Sequence, residues 1–257
     1  YYTGVGHWYD SYTKSKTYAN GLECPDGVYF PTTSYAEIFN DYTHNVATGI
    51  FSHAEGESTI ASGNQSHAEG GGTTASGGCS HAEGADTTAN GYNSHTEGNA
   101  TTVSAVNAHA EGNTTIVAGE NSHAEGYHSK VTSINSHAEG SYTTAAGENS
   151  HAEGNNTYAT STNTHAEGNT TQATGENSHA EGNNTYATSI NSHAEGNHTI
   201  AAGENSHTEG FETNVYSSYV HAEGNTNTIN TLSDSSHIEG SNNKISFSKS
   251  SHVEGDN

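Results

Sequence analysis

A tetrapeptide, His-Ala-Glu-Gly, recurs along most of the chain and constrains the fold more than any other feature. Its histidine returns at every fourteenth position from His53 to His221, and two looser copies follow at His237 and His252 after slightly longer steps. The Ala varies in a few copies, whereas His, Glu and Gly occur in all of them. A phase kept this strictly indicates units that stack on one another, so a repetitive architecture is favoured over disorder.

One repeating unit, residues 192–205, is a clear example of the pattern: Ser-His-Ala-Glu-Gly-Asn-His-Thr-Ile-Ala-Ala-Gly-Glu-Asn. Counted from this Ser as position 1, small residues occupy positions 1, 3 and 5 and then positions 8, 10 and 12. This alternation has the period of a β-strand, and no apolar stripe of helical period is present. We therefore predict an all-β parallel β-solenoid with two short strands per coil. Gly and Asn end each strand because they tolerate positive φ.

The alternation also assigns a face to each position. We expect positions 1, 3, 8 and 10 to lie inside a narrow roll, and positions 2, 4, 9 and 11 to face outward. A roll filled by Ser and Ala buries too little apolar surface to be stable alone, so it needs a partner. The unvarying His and Glu at positions 2 and 4 are the predicted contact between subunits. This predicted ladder consists of His53, Glu55, His67, Glu69, His81, Glu83, His95, Glu97, His109, Glu111, His123, Glu125, His137, Glu139, His151, Glu153, His165, Glu167, His179, Glu181, His193, Glu195, His207, Glu209, His221, Glu223, His237, Glu239, His252 and Glu254.

Three interpretations of the His/Glu ladder are open. The one we favour is structural: glutamates stacked about 4.8 Å apart repel each other, and an adjacent file of histidines neutralises them or donates hydrogen bonds. The second is a metal site, because imidazole and carboxylate suit Zn²⁺ or Ni²⁺. The third is acid/base catalysis, which fifteen copies argue against because a catalytic site is usually unique. We predict no enzyme activity and no cofactor. The residues that represent the metal alternative are His53, Glu55, His67, Glu69, His81 and Glu83.

The ladder also predicts a dependence on pH. If His pairs with Glu at a subunit contact, the His pKa is raised and the Glu pKa is lowered, so stability peaks in mildly acidic solution. A buried neutral His would have a lowered pKa instead, and acid would then weaken the protein.

Composition excludes several classes of protein. Five Lys and no Arg stand against 29 acidic residues, for a formal charge of −24, so no basic surface exists for nucleic acid. No apolar run approaches the roughly 18 residues of a membrane span, and we expect no membrane insertion. The chain starts at Tyr1 without Met, as expected of a processed chain or a fragment. Cys24 and Cys79 are too few for a disulfide scaffold, and we expect both to be unpaired.

Six Asn-x-Thr triplets match the acceptor sequence for N-glycosylation. The alternative, which we favour, is turn chemistry in which Asn closes a turn and Thr begins the next strand. The triplets begin at Asn99, Asn113, Asn155, Asn169, Asn183 and Asn197.

Residues 1–44 differ in composition from residues 45–257. Eight of the 15 Tyr lie in this first segment, together with Trp8, two of the five Phe and both prolines. We predict an aromatic-rich N-terminal cap or attachment segment, followed by a solenoid shaft of about fifteen repeats. Within the cap, residues 34–37 (Ser-Tyr-Ala-Glu) echo Ser-His-Ala-Glu as a degenerate first coil. Ile238 and Val253 replace the small residue at position 3, which predicts a degenerate, more apolar closing segment.

The repeat resembles a known family. Residues 121–126, Asn-Ser-His-Ala-Glu-Gly, are similar to the Asn-Ser-x-Ala-x-Gly repeat of YadA-like trimeric adhesin heads. The His-Ala-Glu-Gly version resembles repeat regions of phage tail-fibre and appendage proteins of Gram-positive hosts. The resemblance covers about residues 45–255 and implies a left-handed roll that associates as a homotrimer. This chain departs from the adhesin repeat in one respect, because the family has apolar residues facing the trimer interior where this chain has His and Glu.

The resemblance implies a structural and adhesive fibre: a trimeric shaft of a phage tail fibre or appendage that attaches to a host-cell surface. Its expected location is extracellular, on a virion or cell. Its expected partners are itself, other fibre or virion proteins, and a cell-surface glycan or protein receptor. The alternatives are a bacterial cell-surface trimeric adhesin, an extracellular filament subunit, or an ice- or metal-binding solenoid. Ice binding is disfavoured because position 9 holds a mixture of Thr, Tyr, Ile and Gln rather than a regular Thr file.

Overall fold

The computed structural model describes residues 44–257, together with the backbone of three earlier strands at His7–Tyr9, Lys16–Tyr18 and Glu37–Phe39. The fold is an all-β parallel β-solenoid of about fifteen coils with about 14 residues per turn, as the repeat predicts. The chain divides into two compact units, Tyr1–Asn121 and Ser122–Asn257. In each unit a coil has a first strand, which begins at the repeat His and in most coils spans His-Ala-Glu-Gly, and a two-residue second strand at positions 9 and 10. The described residues contain no helix long and apolar enough to cross a membrane.

In the first unit, strands of each kind pair only with their own kind, so two parallel sheets form. Its first strands are His53–Glu57, His67–Gly71, His81–Ala85, His95–Thr96 and His109–Ala110. Its second strands are Val46–Ala47, Ile60–Ala61, Thr74–Ala75, Thr88–Ala89, Thr102–Val103 and Ile116–Val117. His7–Tyr9 and Lys16–Tyr18 form a separate antiparallel pair.

The second unit repeats this arrangement. Its first strands are His123–Tyr127, His137–Ser141, His151–Asn155, His165–Asn169, His179–Asn183, His193–Asn197, His207–Phe211, His221–Ala222, His237–Ser241 and His252–Asp256. Its second strands are Lys130–Val131, Thr144–Ala145, Tyr158–Ala159, Gln172–Ala173, Tyr186–Ala187, Ile200–Ala201, Asn214–Val215, Thr228–Ile229 and Lys244–Ile245.

Strand pairing is in register with the sequence repeat, so each residue lies beside its equivalent in the next coil. His151 pairs with His165, and Glu153 pairs with Glu167. Because the side-chain period of a strand is two, a register slip of one residue would turn every buried Ala outward. The constant step of the repeat therefore stacks identical side chains into files.

The predicted interior is confirmed. Ser192, Ala194, Thr199 and Ala201, at positions 1, 3, 8 and 10 of one coil, are at most 1% exposed. The Ser hydroxyls bond within the turn: the Ser66 Oγ donates to the Gly63 carbonyl at 2.7 Å. A core of small side chains leaves little room between the two sheets, which is why the alternation of small residues is so strict.

Two kinds of constraint keep glycine in the turns. At position 5, Gly182 has φ of +119°, a conformation that favours glycine. At position 12 the expectation of a positive φ is wrong. A Cβ on Gly203 would lie 1.7 Å from the Ser217 carbonyl oxygen, so the close approach of the next coil favours glycine in this coil, although other coils have Ala or Ser at position 12.

The ends of the solenoid differ from its middle. Glu37–Phe39 pairs in parallel with the first regular coil and places Glu37 beside His53. Aligning residues 34–37 (Ser-Tyr-Ala-Glu) with the repeat Ser-His-Ala-Glu predicts that Glu37 lies beside Glu55. The observed pairing differs from this alignment by two residues. The closing segment is more apolar, as expected, with a buried cluster of Val215, Val220, Ala222, Ile229, Ile238 and Ile245 against which Val253 packs. Other expectations for residues 1–43, including the unpaired Cys24, lie outside the described residues.

Candidate functional site: the stacked histidines and glutamates

Strand alternation brings the predicted ladder residues of each coil onto one face. Ala152 at position 3 is fully buried, whereas the flanking side chains of His151 and Glu153 are 36% and 43% exposed. The other described coils repeat this pattern, so each unit carries a file of histidines beside a file of glutamates. The outward placement of positions 2 and 4 is confirmed, and we call the pair of files the His/Glu face.

Imidazole rings stack along the histidine file. His179 and His193 have ring centroids 4.7 Å apart and planes inclined by 2°, and His81 and His95 stack in the same way at 4.8 Å. His53 is an exception, because its ring stands at 89° to that of His67 with the centroids again 4.8 Å apart. The spacing is that of neighbouring strands, so the backbone alone imposes it.

The histidine and glutamate of one coil approach each other, but their side chains stay beyond normal hydrogen-bond length. The Nε2 to Oε2 distances run from 3.3 Å between His123 and Glu125 to 4.0 Å between His137 and Glu139. A direct N–H···O bond is about 2.7–3.2 Å long. Within the described part of the chain, Nε2 is buried without a hydrogen-bond partner in His67, His81, His95, His137, His151, His165, His179, His193, His207, His221 and His237.

Burial lowers the pKa of several histidines in the file. Burial, reinforced by repulsion from neighbouring imidazoles, lowers the pKa of five histidines below the ordinary value of 6.5: His81, His151, His179, His193 and His207. At neutral pH these rings are uncharged. In the single chain the expected rise of the His pKa is not found for these five, whose pKa moves in the direction expected of a buried neutral histidine.

The glutamate file of the first unit shares protons between carboxyls. Burial, then hydrogen bonds with Glu69 and Glu97, raise the pKa of Glu83 to about 7. Hydrogen bonds with Glu55 and Glu83 lower the pKa of Glu69, and one with Glu111 lowers the pKa of Glu97 most. The expected lowering of the Glu pKa is thus wrong for Glu83. For Glu69 and Glu97 its direction is right, but neighbouring carboxyls are the larger cause.

Several groups of three residues on this face could hold a metal ion. In each group one imidazole nitrogen or carboxylate oxygen per residue lies within 4.8 Å of the others. The groups are His53, Glu55 and His67; His81, Glu83 and His95; His95, Glu97 and His109; His207, Glu209 and His221; and Glu223, His237 and Glu239. Five of the six residues of the metal alternative fall in these groups.

Asparagine ladders on the turns are a feature that the sequence reasoning missed. At position 14 the Asn163 Nδ2 donates to the Asn177 Oδ1 at 2.9 Å, and the same bond links Asn191 to Asn205. The regular Asn at position 14 is the signal that could have predicted it, since side chains at equal positions stack in register.

A similar ladder bears on the glycosylation triplets. The Asn169 Nδ2, the atom that a glycan would modify, donates to the Asn155 Oδ1 at 3.2 Å. The Thr171 of the same triplet is fully buried. These contacts favour turn chemistry at this triplet. The buried Thr at position 8 cannot contact ice.

Cys79 is a free thiol, as expected. Its Sγ lies 3.2 Å from the Gln65 Oε1 on the turn of the preceding coil, so it belongs to the same kind of turn ladder as the asparagines.

Comparison with known families supports the resemblance of the repeat. The family model of the YadA head domain repeat matches residues 54–78, 81–103 and 138–157. The chain is similar to YadA head repeats over these three stretches. They span the buried Ala files and the intervening turns of the solenoid. No curated protein matches the chain. Together with the solenoid fold, this similarity indicates an adhesin-like structural protein.

Proposed function

We propose that the protein is the trimeric shaft of a phage tail fibre or related appendage that attaches to a host-cell surface. The single observation that carries the proposal is an in-register solenoid whose coils match the YadA head repeat. Such a shaft separates a recognition site from the particle that carries it. Its chemistry is that of a scaffold, and its location is extracellular.

The His/Glu face is the proposed contact between the three chains. The interior of most coils consists of Ser, Ala and Thr, which bury little apolar surface. The His/Glu face is half-buried in the single chain, and burying neutral imidazoles costs less than burying charged ones. A trimer that covers this face would add the missing burial.

Residues 1–44 are the proposed attachment or capping segment, and residues 45–257 are the proposed shaft. Partners in this scheme are two further copies of the chain, other virion proteins, and a glycan or protein receptor. Removing residues 1–44 should leave a folded shaft that no longer joins its parent structure. Normal assembly of the truncated chain would refute the role of this segment.

Mass measurement in solution tests the trimer. Analytical ultracentrifugation should give three times the chain mass of 26.7 kDa. Replacing His151 and His165 by Glu would add like charges to the glutamate file on the proposed contact and should shift the mass toward the monomer. Thr160→Glu, at an exposed position 11, is the matched control. A monodisperse monomer of the unmodified chain at micromolar concentration would refute the proposed trimer.

A bacterial cell-surface adhesin is the second candidate, because the matching family model is that of the YadA head repeat. Immunogold labelling with an antibody against residues 45–257 separates the two settings. Label on virions supports the tail fibre, and label on uninfected cells supports the adhesin.

A further inference from the structure

The His/Glu face carries buried nitrogen atoms that have no partner within the described residues. In eleven coils the imidazole Nε2 is shielded from solvent and makes no hydrogen bond. The nearest carboxylate oxygen of the same coil is 3.6 Å away for His151 and 3.7 Å away for His179. Leaving a buried polar atom unsatisfied costs about 1–3 kcal/mol, so a ligand that accepts these nitrogens as donors would stabilise the face.

The length of this gap suits a shared cation. Two ligand atoms that each lie about 2.1 Å from one ion at a near-tetrahedral angle are about 3.4 Å apart. The His–Glu distances lie at or slightly above that value, and beyond hydrogen-bond length. The donors are imidazole nitrogens and carboxylate oxygens, a set that suits Zn²⁺, whereas Ca²⁺ and Mg²⁺ prefer oxygen alone. We propose that the His/Glu face binds Zn²⁺, each ion held by two successive histidines and the glutamate between them.

The best-formed site is His53, Glu55 and His67. The Glu55 carboxylate lies between the two rings, with Oε2 3.5 Å from the His53 Nε2 and Oε1 3.9 Å from the His67 Nε2. The rings are perpendicular, so their Nε2 lone pairs are not forced to be parallel. One ligand atom of each residue lies within 4.8 Å of the others, so coordination requires the two rings and the carboxylate to move closer together.

In most other coils the rings are parallel, and one ring must rotate before both nitrogens can reach a common ion. Side-chain exposure of about a third leaves room for that rotation, as in His81 with 35%. A ring nitrogen holds one ion, so neighbouring groups that share His95 cannot both be filled. Occupancy is therefore at most one ion for every two coils.

Bound zinc would also reduce the electrostatic repulsion between the glutamates of the His/Glu face. The chain has a formal charge of −24, and its ladder glutamates repeat at strand spacing beside the imidazole rings. Divalent ions between the files offset this repulsion. The site uses atoms of a single chain, so its existence does not depend on the trimer, and the two proposals fail separately.

Zinc retention after equilibrium dialysis of the full chain at pH 7.5 tests the site. The variant H67Q/H95Q removes a ligand from three of the groups, which hold two ions at most. Zinc content measured by mass spectrometry should fall by about two equivalents per chain. The matched control is H128Q/H198Q, which removes two histidines that lie outside the ladder. It should retain as much zinc as the unmodified chain.

Two further readouts keep the result independent of folding. Equal melting temperatures of both variants and the unmodified chain in the presence of a chelator show that the solenoid is intact. X-ray absorption at the zinc edge should report nitrogen and oxygen ligands at about 2.0–2.1 Å. No zinc retained by the unmodified chain, or equal retention by H67Q/H95Q and the control, would overturn the site.

Discussion

Position 8 of the coil is buried throughout the second unit, but it holds Thr in the middle coils and Asn in two coils near the C-terminal end. In the middle, Thr157, Thr171, Thr185 and Thr199 are fully buried, and their hydroxyls have no hydrogen-bond partner within the described residues. Near the end, the Asn227 Nδ2 donates to the Glu223 carbonyl at 2.6 Å and to the Gly240 carbonyl at 2.8 Å. Its Oδ1 accepts from the Asn243 N–H at 2.9 Å.

The apolar side chains of the interior also become larger toward the C-terminal end. Middle coils fill it with Ala187 and Ala201, whereas the last coils use Ile229, Ile238 and Ile245. The last two steps of the repeat are also longer than the others, and the extra residues fall in the turn after the second strand. A middle coil is held by neighbours on both sides and tolerates a sparse core. A terminal coil has one neighbour and needs larger side chains and more hydrogen bonds.

The largest expected effect comes from emptying the terminal core. Ile238→Ala removes a fully buried side chain from the apolar cluster and should destabilise the closing coils by about 2–5 kcal/mol. Ala194→Gly, at the same position of a middle coil, should cost about 1 kcal/mol. Hydrogen exchange is the measurement, because a solenoid opens locally. Equal loss of protection around both sites would contradict the contrast between end and middle.

Asn227→Ala should have the next largest effect. It removes three hydrogen bonds and leaves the Asn243 N–H and the Glu223 carbonyl without this partner, whereas the Gly240 carbonyl keeps its bond from the Asn225 N–H. We expect a loss of about 2–3 kcal/mol in the free energy of unfolding. The control is Asn230→Ala, whose exposed amide bonds only to the Ser246 Oγ. Denaturant unfolding should give a lower midpoint for Asn227→Ala than for Asn230→Ala. Indistinguishable midpoints would show that the hydrogen bonds of the buried Asn227 side chain do not stabilise the closing coils.

Sequence alone predicts this solenoid well because its alternation and its step are backbone properties. Ser192 and Ala194 had to face inward once the period of two was recognised. The role of Gly203 escaped prediction because it depends on the distance to the next coil, which spacing along the chain does not reveal. The register of Glu37 escaped because a match of residue types in a degenerate coil does not locate the inserted residues.

The charge of the His/Glu face was harder to predict. Stacking at strand spacing brings each imidazole next to two others, and their mutual repulsion adds to burial in lowering the His pKa. That repulsion could have been inferred from the repeat, in the same way as repulsion between glutamates. The burial of the rings could not have been inferred from the repeat, because it depends on how closely the Glu and the adjacent His cover each Nε2.

A pH titration tests the middle coils next. The pKa values of His179, His193 and His207 lie below 6.5, so their contribution to stability is present above pH 6.5 and is lost as pH falls through the folded pKa. Glu83 acts oppositely: its contribution is complete below pH 4.5 and is lost as pH rises through about 7. Glu83→Gln removes this opposing contribution, so the melting temperature of that variant should be lower at pH 5 than at pH 7.5.

Variants assign that acid sensitivity to the His/Glu face. Replacing His179 and His193 by Gln should reduce the difference in melting temperature between pH 5 and pH 7.5, whereas His128→Gln should leave it unchanged. A maximum in mildly acidic solution would instead show that the charged ladder forms, with His pKa values raised by Glu.

The smallest effect expected is a gain in stability from Thr185→Val. Val has nearly the shape of Thr, so the narrow interior accepts it, and the substitution removes a buried hydroxyl that bonds to nothing among the described residues. Removing such a group should raise the free energy of unfolding by about 1 kcal/mol. The control is Thr143→Val at the same position of another coil, where the Thr143 Oγ1 donates to the Ser129 Oγ at 2.8 Å. There the substitution breaks a buried bond and should destabilise by about 1 kcal/mol. Denaturant unfolding should show a higher free energy of unfolding for Thr185→Val and a lower one for Thr143→Val. That result would show that the Thr185 hydroxyl does not stabilise its coil, and a loss of stability in both variants would refute this.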